Sequence, residues 1–520
     1  MTTLLLIGPP HFKACEPPAS LAFLSGALRA GGVECVTADL NLEGQLHLLQ
    51  QANTLPLEGK WQQRAVKNCN RNLKALRMPR SRQLYGNNDR YRRCVIDINK
   101  VLEMAAAETG AKASLADFQL PGRSPLASED LLQAAREPQS NPWFSFFSHR
   151  LRELLCENGA DWLGLSLNFL SEALTTFAII GWMRQEFPGV KLVVGGGLVT
   201  TWMSHPNWSS RESHLATLAH FIAGPGEEAL TTLLGGTPVA DAPPDYRELA
   251  GPYFSPGFVL PWTASRGCFW RRCTFCPETA ERNTFLLSPP RKNILQLEKQ
   301  CERHSPALIH FLDNAITPAM MRELTKWRMP PWYGFARFDG LLTNEKFCRK
   351  LAASGCVMLK LGLESGDPAV LAAMNKGTVL PLVERALASL KNAGIATYIY
   401  LLFGTPAEER DAALCTRDFV AAHAQEIDFL NLAIFNMPRL SEEARGGITT
   451  MDFSDDDLSI YTDFVHPLDW HRGKIRRFLD SDFRRTPEIA AILRRDPPFF
   501  TSNHAAFLLP ATIEYAERQR

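Results

Sequence analysis

Three cysteines stand within nine residues in the middle of the chain, at Cys268, Cys273 and Cys276. Three thiolates can hold three irons of a 4Fe–4S cluster and leave the fourth iron open to a substrate or cofactor. Zinc usually takes four protein ligands. No fourth ligand is evident near the triplet, and His304 is the nearest histidine downstream. The spacing therefore favours an iron–sulfur cluster and one-electron chemistry, and it leaves a zinc site open as the alternative.

The composition is that of an ordinary globular protein. The chain has 520 residues, of which 45% are hydrophobic and 21% charged, which allows two or three domains with sizeable cores. A formal net charge of +1 argues against nucleic acid or an anionic membrane surface as the main partner. The apolar start is short and lacks a basic leader, and no apolar run is long enough to span a membrane. We expect a cytoplasmic protein without a membrane span or a nucleic-acid partner.

The first half alternates short apolar segments with helical patterns that end at glycine or proline. This alternation predicts a doubly wound parallel sheet of the flavodoxin-like type within residues 1–245. The stretch from about 46 to 148 lacks strand alternation, so we expect a largely helical insertion there. The predicted strands are 4–8, 33–38, 162–167, 191–194 and 220–223.

Strand and helix patterns resume in the second half with different loops. Six strand–helix units are fewer than the eight of a closed barrel, so residues 255–440 are predicted to form a partial (β/α)6 barrel. Residues 441–520 have a mixed pattern and form a C-terminal extension. The predicted strands are 259–264, 307–312, 332–335, 357–363, 397–403 and 429–435.

With these elements in place, residues 255–440 resemble the radical S-adenosylmethionine (SAM) superfamily. The cysteine triplet follows the first strand of the partial barrel, where active-site loops belong. The later strands end in motifs typical of that superfamily, at 312–314, 362–366 and 402–409. One departure is the spacing: the superfamily usually has three residues between the first two cysteines, and this chain has four. We expect the extra residue to bulge the loop without removing a ligand.

The resemblance implies roles for individual residues. The three cysteines would ligate a 4Fe–4S cluster whose open iron chelates SAM, and an electron from a flavodoxin- or ferredoxin-type donor would cleave SAM to a 5′-deoxyadenosyl radical. Glu364 would hold the ribose or the methionine amine, and Phe275 would sit beside the adenine. Further cofactor contacts are expected from Arg337, Ser365 and Gly404.

The first half resembles the cobalamin-binding domain that precedes this barrel in one radical SAM class. Glycines after strands let the backbone approach a large ligand at the carboxyl ends of a sheet. No Asp-x-His-x-x-Gly run is present, so the cobalt would lack a histidine ligand from that motif. The expected cobalamin contacts are Gly8, Pro9, Ser166, Asn168, Gly195, Gly196, Gly197, Gly224, Gly226 and Glu227.

The combination of two cofactor domains implies a cobalamin-dependent radical SAM methyltransferase that methylates an unactivated carbon. Two alternatives stay open: a cyclisation or rearrangement that uses the same cofactors, and a non-catalytic cobalamin- or iron–sulfur-binding regulator. The substrate, a small molecule or a peptide, is not readable from the residues. Trp470 and His471 in the tail, and residues 143–147 in the insertion, either line a substrate pocket or pack in satellite cores.

Overall fold

A computed structural model describes residues 3–78, 82–204, 208, 214–451, 456–499 and 504–509. The chain separates into two compact units. The first comprises Met1–Phe258 and Ser454–Ile460, and the second comprises Val259–Phe453 and Tyr461–Arg520. The functional division into domains 1–245, 255–440 and 441–520 stays a prediction.

The first unit is built on a five-stranded parallel sheet in the order β2-β1-β3-β4-β5. This is the flavodoxin-like order, and it confirms the fold expected for the first half. In β1 the side chains from Leu4 to Ile7 are at most 2% exposed, because both faces of the sheet are covered by helices. The strands are β1 (Thr3–Gly8), β2 (Glu34–Asp39), β3 (Trp162–Ser166), β4 (Lys191–Gly195) and β5 (His220–Ile222).

Helices connect these strands and pack on the sheet. Asp39 ends β2 and caps the next helix, because its side chain accepts hydrogen bonds from the backbone N–H groups of Asn41 and Leu42 at 3.1 and 3.0 Å. The helices around the sheet are Ala19–Ala30, Leu40–Gln50, Phe144–Asn158, Leu170–Glu186, Gly197–Met203 and Gly226–Leu233.

The insertion between β2 and β3 contains helices and one small antiparallel ladder. The ladder pairs Lys112–Ala113 with Phe118–Gln119, a feature that the sequence pattern did not predict. The segment 456–460 also belongs to this unit, where the Leu458 N–H donates to the Leu126 carbonyl at 2.8 Å. The helices of the insertion are Lys60–Arg77, Arg82–Tyr85, Asn88–Ala106 and Ser128–Arg136.

The second unit is a six-stranded parallel sheet whose strands follow chain order, β6 to β11. This arrangement confirms the partial (β/α)6 barrel. Its strands are β6 (Val259–Trp262), β7 (Leu308–Phe311), β8 (Trp332–Ala336), β9 (Cys356–Glu364), β10 (Ala396–Phe403) and β11 (Phe429–Ile434). Its helices are Pro277–Ala280, Pro290–His304, Pro318–Leu324, Glu345–Ala353, Pro368–Ala373, Leu380–Asn392 and Arg410–Ala422.

The tail of the second unit is mixed, as expected. A small antiparallel sheet joins Met437–Pro438, Tyr461–Phe464 and Thr450–Met451, and the helices Arg472–Phe478 and Pro487–Leu493 follow. Ala505 and Leu509 are buried against the first residues of the barrel strands, among them Val259, Leu308 and Phe429. In the parts of the chain that the structure describes, no helix is both long and apolar enough to cross a bilayer.

Candidate functional site

The cysteine loop leaves the carboxyl end of β6 and is fixed at its base. Asp313, just beyond β7, is 1% exposed and accepts hydrogen bonds from the Ala264 N–H at 3.0 Å and the Ser265 hydroxyl at 2.6 Å. Ser265–Arg266 also pairs with Leu286–Leu287 as a short antiparallel ladder. The residues before the cysteines are therefore held by the barrel, and the residues after the cysteines pair with them.

The four residues between the first two cysteines include one with an unusual backbone conformation. Arg271 takes a φ of 50°, in the left-handed region that side chains rarely adopt. Cys273 is buried, and Cys268 and Cys276 are half-buried. In the described part of the chain, no three His, Cys, Asp or Glu side chains are arranged to hold a single metal ion. Cluster cysteines each bind a different iron, so their sulfurs do not have to surround one point.

The loop docks on the segment 374–377, which follows the helix Pro368–Ala373. The Thr274 N–H donates to the Met374 carbonyl at 3.1 Å, and the Trp270 indole N–H donates to the Asn375 carbonyl at 3.2 Å. Gly377 has a φ of 68°, and a Cβ there would lie 2.2 Å from the Trp270 ring. This position therefore requires glycine for both its backbone conformation and its close approach.

A buried ion pair lies beside the loop at the end of β9. Lys376 Nζ is 2.7 Å from Glu364 Oε1, and 5.5 Å from the centre of the Phe275 ring. A Cβ on Gly362 would come within 2.3 Å of Glu364 Oε1 and 2.7 Å of Lys376 Nζ, so the missing side chain leaves the space that the pair occupies. The predicted residues Glu364 and Phe275 are thus brought together by a lysine that the sequence analysis did not single out.

Arg337 follows β8 and completes this group. Its guanidinium lies 4.3 Å from the Trp270 ring centre and donates to the Lys376 carbonyl. Burial raises the pKa of Cys273, while the nearby charges of Lys376 and Arg337 oppose the shift. Burial likewise raises the pKa of Cys276 to about 11. The two cations favour negative charge at Cys273, which suits thiolates that bind a metal.

The other predicted SAM contacts lie on neighbouring loops. Ser365 is fully buried, and its hydroxyl lies 3.2 Å from the Thr416 hydroxyl, on the helix Arg410–Ala422. Gly404, just after β10, has a φ of 84° and donates its N–H to Glu408 Oε2. Among the described residues, no hydrogen bond joins Ser365 or Gly404 to the cysteine loop, and their expected roles stay predictions.

In the first unit, several predicted cobalamin contacts form one hydrogen-bonded edge. At the end of β3, Asn168 Nδ2 donates to the Ser166 hydroxyl at 3.0 Å, and Asn168 Oδ1 accepts from the Gly197 N–H at 3.0 Å. A Cβ on Gly196 would lie 2.3 Å from the Leu167 carbonyl oxygen. The Gly224 N–H donates to the Thr200 hydroxyl at 2.9 Å, which ties the β5 loop to the helix after β4.

The remaining predicted contacts lie along the same edge. Gly8 ends β1 and Pro9 follows it, and both are buried; Gly226 and Glu227 begin the helix Gly226–Leu233. A Cβ at Gly224 would meet no atom within 4 Å, so this part of the edge is open to an approaching ligand. The backbone at Gly224 is therefore accessible, whereas Gly8 and Pro9 are buried, and the cobalamin contacts of this edge stay a prediction.

Sequence reasoning missed one aromatic feature of this edge. Phe169 is 54% exposed, and its ring centre is 5.6 Å from that of Phe12. The signal was present in the chain, because Phe169 directly follows the predicted contact Asn168. Exposed aromatic rings at the rim of a ligand edge are typical of binding surfaces.

The comparisons with known proteins agree with this geometry at the level of the fold. No protein-family model matches the chain. One curated relative, an anaerobic magnesium-protoporphyrin IX monomethyl ester cyclase from Rubrivivax gelatinosus, is 23% identical over 231 residues. The match spans 42% of this chain and 41% of that protein.

Two kinds of solved structure are similar over all of this chain. The radical SAM methyltransferase TsrM from Kitasatospora setae, with tryptophan substrate and a SAM analogue bound, matches with a TM-score of 0.58 at 14% identity, over 100% of both chains. Another TsrM structure holds cobalamin and a 4Fe–4S cluster. The cobalamin-dependent radical enzyme OxsB, with aqua-cobalamin and SAM, matches with a TM-score of 0.51 at 13% identity, over 61% of its length. The present chain therefore has the fold of cobalamin-dependent radical SAM enzymes.

Proposed function

We propose that this protein is a cobalamin-dependent radical SAM enzyme, and that it methylates an unactivated carbon of its substrate. One observation carries the proposal. A three-cysteine loop at the carboxyl end of a partial barrel is packed beside Glu364, in a chain that also contains a flavodoxin-like unit.

The residues at the barrel fit an iron–sulfur cluster with SAM. Cys268, Cys273 and Cys276 supply three thiolates, and the cations beside Cys273 offset the negative charge of a ligated cluster. Glu364 lies at the carboxyl end of β9, where a barrel presents its ligand contacts. When bound, the cluster would supply the electron that makes SAM a source of a hydrogen-abstracting radical, and cobalamin would carry the methyl group.

The residues of the first unit fit a large flat ligand. Gly195, Gly197 and Gly224 leave the carboxyl edge of the sheet without side chains, and a Cβ on any of them would meet no atom closer than 3.4 Å. Asn168 holds the loops after β3 and β4 together at this edge. The chain's part is to bind and orient the corrin there.

The test is anaerobic reconstitution with iron and sulfide, followed by incubation with reductant, SAM and hydroxocobalamin. We expect the broad visible absorbance of a cluster, retained corrin, and formation of 5′-deoxyadenosine. Alanine in place of any one of the three cysteines should abolish the cluster or its turnover. Cys415→Ala, a change of an exposed cysteine in the same unit, should leave both intact. A colourless zinc-loaded protein would contradict the proposal.

A second outcome is favoured by the similarity to the cyclase. That relative matches this chain over 231 residues, so ring formation with the same cofactors is the alternative reaction. The product's mass decides between them, because methylation adds a CH2 unit and cyclisation does not. Cluster and corrin without SAM cleavage would instead indicate a regulator.

A further inference from the structure

The helical insertion of the first unit concentrates positive charge that the chain as a whole does not have. Residues 60–100 contain twelve Lys or Arg and two Asp, whereas the formal net charge of the whole chain is +1. The helix Lys60–Arg77 itself contains no Asp or Glu. The rest of the chain is therefore net negative, and the small overall charge conceals a cationic region in this insertion.

Five cations form a stripe along one side of the helix Lys60–Arg77. They follow one another at intervals of four, three, four and three residues, which places them on one side of an α-helix over about 20 Å. The opposite side is buried through Ala65, Cys69 and Leu76, so the stripe faces away from the core. All five cations are exposed: Lys60, Arg64, Lys67, Arg71 and Lys74.

The helix Asn88–Ala106 packs beside this stripe and widens it. Arg64 Nη2 lies 2.9 Å from Asp97 Oδ1, which joins the two helices. Arg93 and Arg90 precede Asp97 by four and seven residues, so they lie on the same side of their helix as Asp97, and both are exposed. We call these two arginines and the five cations of the stripe the basic face.

The charges of the basic face are largely uncompensated. In the described part of the chain, Lys60, Lys67 and Lys74 form no ion pair. Like charges three or four residues apart on a helix repel each other and lower its stability. The arrangement is therefore unfavourable for the fold alone, and an anionic partner would offset the repulsion.

Exposed apolar side chains lie at both ends of the stripe. Leu57, shortly before the helix Lys60–Arg77, and Trp61, in its first turn, are 47% and 48% exposed. Met78, directly after the helix, is 46% exposed. The phosphate backbone of a nucleic acid has no apolar layer for these side chains, whereas the interface of an anionic bilayer offers both charged headgroups and apolar chains.

We propose that the basic face is a docking surface for an anionic lipid bilayer. Its Lys and Arg side chains pair with the anionic headgroups, and Trp61 and Met78 enter the headgroup layer at the two ends of the stripe. Attachment of this kind is peripheral, and it weakens as salt screens the charges. The cysteine loop belongs to the second unit, so the inference does not depend on the proposed reaction.

Co-sedimentation of the full chain with lipid vesicles tests the inference. The protein should bind vesicles of phosphatidylserine mixed with phosphatidylcholine, and it should not bind vesicles of phosphatidylcholine alone. Lys67→Gln combined with Lys74→Gln should weaken binding about 25-fold, because each cation near an anionic leaflet contributes about fivefold. Equal binding to the two kinds of vesicle, or binding to neither, would overturn the inference.

Two further double variants serve as controls. Lys67→Arg combined with Lys74→Arg should retain binding, which separates lost charge from lost folding. Lys346→Gln combined with Lys350→Gln removes the same charge from exposed positions on a helix of the second unit, and it should leave binding unchanged. If this control weakens binding as much as the glutamine changes at Lys67 and Lys74, the attraction reflects overall charge and the inference is wrong.

A DNA duplex as competitor decides the class of partner. Trp61→Ala should weaken binding to the anionic vesicles and leave binding to the duplex unchanged, because only the bilayer accepts the apolar ring. If the duplex binds more tightly than the vesicles and the glutamine changes at Lys67 and Lys74 abolish that binding, the partner is a nucleic acid and the inference is overturned. Formation of 5′-deoxyadenosine by the reconstituted variant should match that of the unaltered protein, so this inference and the proposed function fail separately.

Discussion

At the end of β9 the chain keeps a carboxylate and an ammonium group away from water, with side-chain exposures of 11% for Glu364 and 9% for Lys376. Each charge would be costly to bury alone, because desolvation disfavours the charged form. The pair lies against the Phe275 ring and beside the loop that carries Cys273. Its position couples the geometry of the expected SAM contact to that of the cluster loop.

Lys376→Met should lower the free energy of unfolding by about 3–5 kcal/mol, because it leaves the Glu364 carboxylate buried and unpaired. Urea denaturation of the two proteins measures the difference. The double variant Glu364→Gln with Lys376→Met should recover part of the loss. Lys326→Met is the control, since Lys326 pairs with Glu323 while 65% exposed and should cost at most about 1 kcal/mol. Equal losses at the two lysines would contradict the prediction.

At the scale of elements, the barrel strands position the cysteine loop through their ends. β6 leads into the loop, and Asp313 beyond β7 holds its first residues. The helix Pro368–Ala373 is followed by the segment 374–377, which contacts the cysteine loop. The loop is therefore fixed by the ends of β6 and β7 and by the segment that follows the helix Pro368–Ala373.

Asp313, which holds the start of the cysteine loop, should make the stability of the protein depend on pH. Burial raises the pKa of its carboxyl group from 3.8 to about 6. Between pH about 4 and about 6 the folded state holds a proton that the unfolded state releases, so stability should fall as pH rises through this window. The expected loss from this group is about 3 kcal/mol. Asp313→Asn should remove this part of the slope, as measured by urea unfolding across the window.

Asp418→Asn is the control for this pH profile, because the Asp418 side chain is 65% exposed. It should keep the slope of the unaltered protein. If Asp313→Asn also keeps the full slope, another group is responsible. Iron content after reconstitution of the Asp313→Asn variant gives an independent readout of whether the cysteine loop is still held in place.

At the scale of the whole molecule, successive segments of the C-terminal tail pack in different parts of the structure. Its segment 456–460 belongs to the first unit, and 461–478 covers the carboxyl ends of β10 and β11. The last described segment, 504–509, packs against the amino-terminal ends of the barrel strands. Because Tyr398 and Phe429 contact the His504 ring at 4.4 and 4.6 Å between centres, this segment seals the barrel at the end away from the cysteines.

Leu509→Ala should lower the stability of the second unit by about 2–5 kcal/mol, because it removes a side chain that is 4% exposed from the core. Thermal unfolding followed by limited proteolysis measures the effect and locates it. Leu287→Ala, at a position 47% exposed, is the control and should change stability little. A Leu509 variant as stable as the control would mean that the segment does not seal the barrel.

Local patterns in the chain were enough to predict the architecture. Eleven apolar strand segments with turn signals between them predicted both sheets. A strand that is buried on both faces consists of consecutive apolar residues, and such a run can be recognised in the sequence. The cysteine triplet is also local, since its spacing within one loop is visible without a fold. The predicted fold is confirmed, and the roles of the site residues and the external electron donor stay predictions.

Only the tertiary structure decided which distant side chains meet. Lys376 pairs with Glu364 because the short helix between them turns the chain back. No sequence pattern around either residue predicts this pair. The Trp470 indole donates a hydrogen bond to Glu408, 62 positions earlier in the chain. This bond holds the tail against the loop that follows β10. Periodicity reports how one element buries its own faces, whereas these contacts depend on how separate elements pack. The sequence thus determined the two folds and the spacing of the cysteines. Packing determined which side chains surround the cysteine loop and where the tail lies.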